Sequence, residues 1–370
     1  MKEWKTYKLG DIVNFTTGKL DSNAADINGK YPFFTCSPET LKINSFAFNQ
    51  KAILLAGNNA EGNFSVKYYE GKFNAYQRTY VISISDENVV DYKFLYYALK
   101  ICLLRFKMMS QGTSTKFLTK SILNSFEIDL PNIETQQSIA SILASIDSKI
   151  QINRQINDNL EQQASNLFQD WLNNCENSIM LRELTDNVLD YTPNTHEHVY
   201  LLNSSDVTEG QFTVLPLTPN INLKGQFKKR FKKGDILYSE IRPRNRHYAY
   251  CYFDADKYIA STRLIVLRAK PEKLTSSILL YQYLMLNNVF EEFTLKTESR
   301  SGTFPQGNYE DLSSIKVPYD ASQEKIAKAL ESIYKQLWTN LEENERLEAL
   351  RDSLLPKLMS GELKINEIDC

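Results

Sequence analysis

Between Lys224 and Arg246 the chain carries Lys224, Lys228, Lys229, Arg230, Lys232, Lys233, Arg242, Arg244 and Arg246 against only Asp235 and Glu240, with Phe227, Phe231 and Tyr238 interleaved. Cations at that density neutralise phosphates, and contacts of this kind weaken steeply as salt rises. A charged run is also the ordinary make-up of a solvated surface, so the stripe points to nucleic acid only in company. That company comes from the first third of the chain. Gly57-Asn58-Asn59-Ala60-Glu61-Gly62-Asn63, Gln77-Arg78 and Ser110-Gln111-Gly112-Thr113-Ser114-Thr115-Lys116 offer the amides, hydroxyls and cations that pair with base edges or hold phosphates. Tyr31-Pro32-Phe33-Phe34-Thr35 adds aromatic surface. The candidate contacts are Gln77, Arg78, Gln111, Thr113, Ser114 and Lys116 in the first region, and Lys228, Lys229, Arg230, Lys232, Arg242, Arg244, Arg246, Arg263 and Arg300 in the second. Each of these loops, taken singly, is equally a plain turn.

Catalytic chemistry finds no such support. The sequence has no Gly-rich phosphate loop ending in Gly-Lys-Ser/Thr, no Gly-x-Gly fingerprint, no Asn/Asp-Pro-Pro-aromatic tetrapeptide and no His-Glu-x-x-His. His196 and His198 lie in a polar, proline-containing stretch that reads as a solvated loop, and His247 is isolated. No catalytic residue and no metal ligand is expected. The 5 cysteines, at 36, 102, 175, 251 and 370, have no paired spacing for disulfides or zinc, which suits a reducing compartment. The longest apolar stretch, Phe94 to Leu104, is interrupted by Lys100 and falls short of the ~18–20 residues that span a bilayer. With no leader at Met1-Lys2-Glu3-Trp4, a soluble cytoplasmic protein is expected. The net charge of −2 conceals a division, because Glu342, Glu343, Glu345, Glu348 and Asp352 offset the stripe from one segment near the end.

The elements that must position these groups are duplicated. Pro131, Gln136, Ile139, Ala140, Leu143, Ser145 and Ile146 recur at a constant offset, without a gap, as Pro318, Gln323, Ile326, Ala327, Leu330, Ser332 and Ile333. Upstream, Phe73 to Val81 resembles Tyr258 to Val266, and Lys8-Leu9-Gly10-Asp11-Ile12 resembles Met180-Leu181-Arg182-Glu183-Leu184. The repeated unit is thus a globular region plus a helix. Its period of about half of the 370 residues is too long for a solenoid, whose repeats run to roughly 20–50 residues. Short β-rich runs such as Ala52–Leu55, Thr79–Ile84, Ile236–Tyr238 and Leu264–Leu267 alternate with Gly, Asn and Asp, and helices are expected near 92–108 and 278–290.

Glu134 to Leu172 carries neither Gly nor Pro and repeats apolar residues near every 3.5 positions, at 139, 143, 146, 150, 160, 164, 167 and 171. A second long helix runs from Ser322 to about Leu355, its seam through Ile326, Leu330, Ile333, Leu337, Leu347 and Leu354, with Pro356 expected to kink or end it. Such stripes predict that the helices pack antiparallel on each other. Asn153, Asn157, Asn340 and Asn344 fall on the same seam, where buried amides fix register: Asn153 would face Asn344, and Asn157 would face Asn340. Drift of the seam onto Ile152 and Ile156 would instead leave the asparagines in water.

The order of variable region, long helix, variable region, long helix resembles the specificity subunit of type I restriction-modification enzymes over essentially the whole chain. Leu9-Gly10-Asp11-Ile12, Gln323-Glu324-Lys325-Ile326-Ala327 and Leu354 to Leu363 carry the likeness, from which Val317-Pro318-Tyr319-Asp320-Ala321-Ser322 departs. The resemblance implies an α+β fold: two pseudo-symmetric mixed α/β target-recognition domains, 1–131 and 179–318, separated by two long antiparallel helices, 132–178 and 319–370, that form a coiled coil. It implies that each domain reads one half of an asymmetric bipartite site in double-stranded DNA, while the helices space the halves and dock partners. On one face of a duplex the half-sites would be phased by about one helical turn, roughly 34–36 Å, or a multiple. The implied partners are two modification (methyltransferase) subunits and two restriction (motor-nuclease) subunits, with S-adenosylmethionine, ATP and Mg²⁺ on them and no cofactor on this non-catalytic chain. Two other readings stay open: a stand-alone nucleic-acid-binding protein, against which the apolar Ile142, Ile152, Ile156 and Phe168 off the seam speak, and a coiled-coil scaffold without DNA, which leaves the basic stripe unexplained.

Overall fold

The structure, a computed structural model, describes residues 4–273, 276–299, 305–320 and 322–364; Arg300 lies outside them. The chain divides into two compact units, one running up to Ile152 and resuming at Glu343, the other spanning Asn153–Glu342. Each unit therefore combines one globular region with a half of each long helix.

In the first unit the opening strand, Lys5–Lys8, pairs antiparallel with Glu127–Leu130, the strand that feeds the first long helix. A six-stranded sheet follows in the order Val13–Thr17, Thr79–Ile84, Phe48–Ala56, Val66–Ala75, Tyr31–Phe34, Leu41–Ile43. Phe48–Ala56 alternates little and ends in five consecutive buried residues, as a strand covered on both faces must. The helix Tyr92–Met109 starts where the Asp91 side chain accepts the Phe94 N–H, and buries Phe94, Leu95, Leu99 and Phe106. Each such side chain contributes about 1.5–3 kcal/mol of burial. The first long helix, Ile133–Asn173, adds Ile139, Ala140 and Leu143 to this core, and the second, Gln323–Ser360, adds Leu355 and Leu358.

Pro356 does not end the second helix, which continues to Ser360 and stops at Gly361 in the left-handed region, φ 74°. A helix-interior proline costs about 3 kcal/mol. Burial of Leu355 and Leu358 on either side of it offsets that cost.

The second unit repeats the scheme. Ser178–Met180 pairs with Lys316–Pro318 just before the second long helix, and short helices at Leu9–Ile12 and Leu181–Leu184 follow the opening strand in the two units. The sheet, however, is divided. In the first unit Val66–Ala75 pairs with Phe48–Ala56 along most of its length and, at its end, runs parallel to Tyr31–Phe34. In the second, Tyr248–Tyr250 and Tyr258–Ser261 take these two roles separately. A turn in which Asp254 accepts the Asp256 N–H interrupts them, leaving two four-stranded sheets. The single helix expected near 278–290 is two, Ser277–Met285 and Asn287–Glu298, broken where Leu286 turns extended ahead of Asn287-Asn288. Asparagine is a poor helix-interior residue because its amide competes for the backbone.

Within each unit the long helices are antiparallel. Trp171 bonds Ser322 and Asn157 bonds the Leu337 carbonyl in the second unit; Lys149 pairs with Glu343 and Asp147 with Arg351 in the first. All four seam asparagines are buried, and the Asn340 amide donates to Asn157 Oδ1 at 2.8 Å. Asn344 lies against the Ile150 carbonyl. Ile152 and Ile156 are the exposed ones, at 50% and 39%. Towards the helix ends the seam departs from the 3.5-residue count, since Phe168 is buried where Leu167 was expected, and Leu355 is more buried than Leu354.

Candidate nucleic-acid interface

In the first unit the separate loops of the sequence converge. The chain leaves strand Phe48–Ala56 at Gly57, whose N–H donates to the Arg78 carbonyl at 2.9 Å, while Leu118 N–H donates back to the Gly57 carbonyl at 2.9 Å. Asn58 and Asn59 pair with Phe117 and Lys116, which fastens the 57–63 loop to the 111–116 loop. Gln111 and Phe117 bond each other through both main-chain groups. The Gln77-Arg78 turn completes the cluster: the Arg78 guanidinium lies over the Phe117 ring at 5.4 Å, and Gln77 donates to Asp21. Gln77, Arg78, Gln111, Thr113 and Ser114 are exposed and Lys116 half-buried, so all six expected residues share one surface.

Two members of this cluster were not singled out by the sequence. Lys107, at the end of helix Tyr92–Met109, donates to Asn63 Oδ1 at 2.8 Å, and Phe117 forms the platform under Arg78. Neither lies in a recognisable motif. Only a lysine in the last helical turn, a common place for a cation beside the helix dipole, marked the first.

In the second unit the basic stripe comes apart. Lys228 and Lys232 are exposed, but Lys229 is only 4% exposed, with its ammonium donating to the Leu264 carbonyl. Burial lowers its pKa below the ordinary value. Lys229 is therefore not a phosphate contact in this fold. Arg230 donates to the Asp256 carbonyl. The Arg242–Arg246 segment sits at the end of strand Ile236–Ser239, with Arg242 and Arg246 both at positive φ around a turn at Pro243–Asn245. Arg244 grips Glu298 through two bonds, 2.7 and 3.1 Å, which holds the Glu298 carboxyl below its usual range. Arg246 donates to Asn287 and lies over the Phe290 ring at 4.3 Å, with Glu209 beside it. Arg263 is exposed. Its charge and that of Lys229 partly counter the burial that raises the Glu240 pKa.

The two clusters share one main-chain frame. Glu240 N–H donates to the Arg263 carbonyl and Gly307 N–H to the Glu240 carbonyl, as Gly57 does to Arg78 and Leu118 to Gly57. Ile241 bridges to Gln306 as Asn58 pairs with Phe117. The side chains on that frame differ almost everywhere. Such a surface offers guanidinium, amide and hydroxyl groups from three loops. Among the described residues no group of three His, Cys, Asp or Glu could hold a metal ion. His247 Nδ1 bonds the Val207 carbonyl at 2.7 Å, and the main-chain N–H of His196 is taken by Asn194. No described helix is long and apolar enough to cross a membrane.

The chain is similar to known proteins over most of its length. The family model described as the type I restriction modification DNA specificity domain matches residues 1–162 and 216–349. The Escherichia coli type I restriction enzyme EcoDI specificity subunit is 30% identical over 416 residues, covering 98% of this chain and 89% of that protein. A putative type I specificity subunit of Mycoplasma pneumoniae is 24% identical, covering 96% of each chain. The crystal structure of the type I restriction-modification S subunit from M. genitalium superposes with a TM-score of 0.68 at 20% identity, covering 96% of both chains, which shows a common fold.

Proposed function

The chain belongs to the type I restriction-modification DNA specificity family, and we propose that it supplies the sequence address of such a complex, each strand-end cluster reading one half of a split, asymmetric site in double-stranded DNA. The observation that carries this reading is the shared frame with different side chains on it. The same three loops are presented in both units, but Gln77, Asn58 and Phe117 in one stand where Thr262, Ile241 and Gln306 stand in the other. Two surfaces of one construction and unlike chemistry suit two half-sites of unlike sequence.

In this reading the chain acts in the cytoplasm with two modification subunits and two restriction subunits. S-adenosylmethionine, ATP and Mg²⁺ belong to those partners, and the chain itself carries no active site. Ile152, Ile156 and Leu167 on the first long helix keep apolar surface in water, and docking of protein partners there would cover it. Phe168, grouped with them on sequence, is buried in the second unit's core instead.

Methylation-sensitive sequencing of cells expressing the chain with its modification subunit, against cells with that subunit alone, tests the reading. A new methyladenine motif interrupted by an unspecified gap is the expected result. An assembled complex that leaves no new motif would overturn it.

A further inference from the structure

The shared frame extends to one side chain. Phe73 to Val81 and Tyr258 to Val266 align so that Arg78 and Arg263 occupy the same place, and three matching main-chain bonds fix that place in each unit. The residue before the arginine donates to a neighbouring loop, Gln77 to the Leu20 carbonyl and Thr262 to the Gln226 carbonyl. The arginine carbonyl accepts from Gly57 or Glu240. Those residues accept in turn from Leu118 or Gly307. Both arginines are exposed.

Packing does not account for the arginine in both places. Arg78 rests on the Phe117 ring, whereas the strand position matching Phe117 is Gln306 in the second unit, where Arg263 has Glu240 as its charged neighbour. A common partner within the chain is thus missing, while the exposed cation is retained. A base-reading residue would be expected to change along with the rest of the loops, because the two half-sites differ. A phosphate is the same in both.

Resting on the function proposed above, we infer that Arg78 and Arg263 are paired backbone anchors, each gripping a DNA phosphate and fixing how its unit sits on the duplex, while the differing residues beside them, Gln77 and Thr262, face the bases. Phosphate contacts set register and orientation without carrying sequence information.

The test uses the assembled complex with its modification subunits, the wild-type methylation motif and DNA binding measured across a salt series. Arg78→Ala and Arg263→Ala are each expected to weaken specific and non-specific DNA alike, to lower the salt-dependence slope by about 0.9, the value for one phosphate on duplex DNA, and to leave the motif unchanged. Arg78→Lys and Arg263→Lys should restore most of the affinity and the slope, since a phosphate accepts a point charge where a bidentate base contact does not. A motif relaxed at one position with an unchanged slope, unrescued by lysine, would make the arginine a base reader and overturn the inference. Alanine variants that bind like wild type would also overturn it. Failure of the wild-type complex itself to bind or methylate DNA would instead overturn the underlying function.

Discussion

Lys229 shows how strictly a single residue's surroundings decide its work. Its neighbour Lys228 is exposed, yet Lys229 turns inward and gives its ammonium to the Leu264 carbonyl at 2.6 Å. Desolvation lowers its folded pKa below 10.5. Between that lowered value and 10.5 the unfolded chain binds more protons than the folded one, so this group's contribution makes stability rise with pH through that window. Lys229→Met should melt at or above the wild-type temperature near neutral pH, lose that rise under alkaline conditions, and bind DNA unchanged; thermal melts over a pH series check it. Arg244 is the opposite case, an exposed cation already engaged by Glu298. Glu298→Gln should strengthen binding to non-specific DNA and steepen its salt dependence, because one more guanidinium becomes available to phosphate. Unchanged non-specific binding would place Arg244 away from the duplex.

At the scale of elements, the motif glutamine and the seam asparagines explain how the helices are held. Gln136 is fully buried, accepts the Asp91 N–H, and donates to the Val89 and Pro131 carbonyls. It thereby staples the start of the long helix to the cap of helix Tyr92–Met109. Its repeat, Gln323, donates to the Lys273 carbonyl. Gln136→Ala should cost about 3 kcal/mol, as buried backbone groups lose their partners, measurable by urea unfolding. Asn340→Leu should cost about 1–3 kcal/mol by leaving the Asn157 side-chain oxygen without its donor, whereas the double change Asn157→Leu with Asn340→Leu should recover most of that loss. Additive losses in that cycle would deny the pair any role in register. The helix-to-region contact is itself duplicated with different chemistry: Tyr97 donates to Asp147 in the first unit, and Gln282 to the Tyr334 hydroxyl in the second.

Across the whole molecule, the separation into two units, each with its own core clusters, predicts separable readout. Replacing Arg242, Arg244 and Arg246 together by alanine should weaken recognition of one half of the methylated motif and leave the other half as it was. Equal relaxation of both halves, read by the same sequencing, would contradict independent domains. The asymmetry of the clusters, amides and an aromatic platform in one and an arginine-rich turn in the other, belongs to this scale, because only the repeated frame makes the two surfaces comparable.

The sequence by itself determined the duplication and the long helices, and it narrowed the seam to the asparagines or their isoleucine neighbours. These are properties of identity and period along the chain, and they survive without knowledge of what lies across a contact. Tertiary structure decided the rest. The 3.5-residue count drifts about 20° per seven residues from a straight helix, enough over four heptads to exchange Leu167 for Phe168 in the core. Lys229 lies two residues from both Phe227 and Phe231, and the pairing of this strand with Tyr258–Ser261 turns their common face inward and takes the lysine with it. Glu298 lies 54 positions from Arg244, and Glu240 and Gly307 come together only through the frame. Charge density is written in the chain, but whether a cation meets water, a carboxylate or a carbonyl is settled by partners distant in sequence.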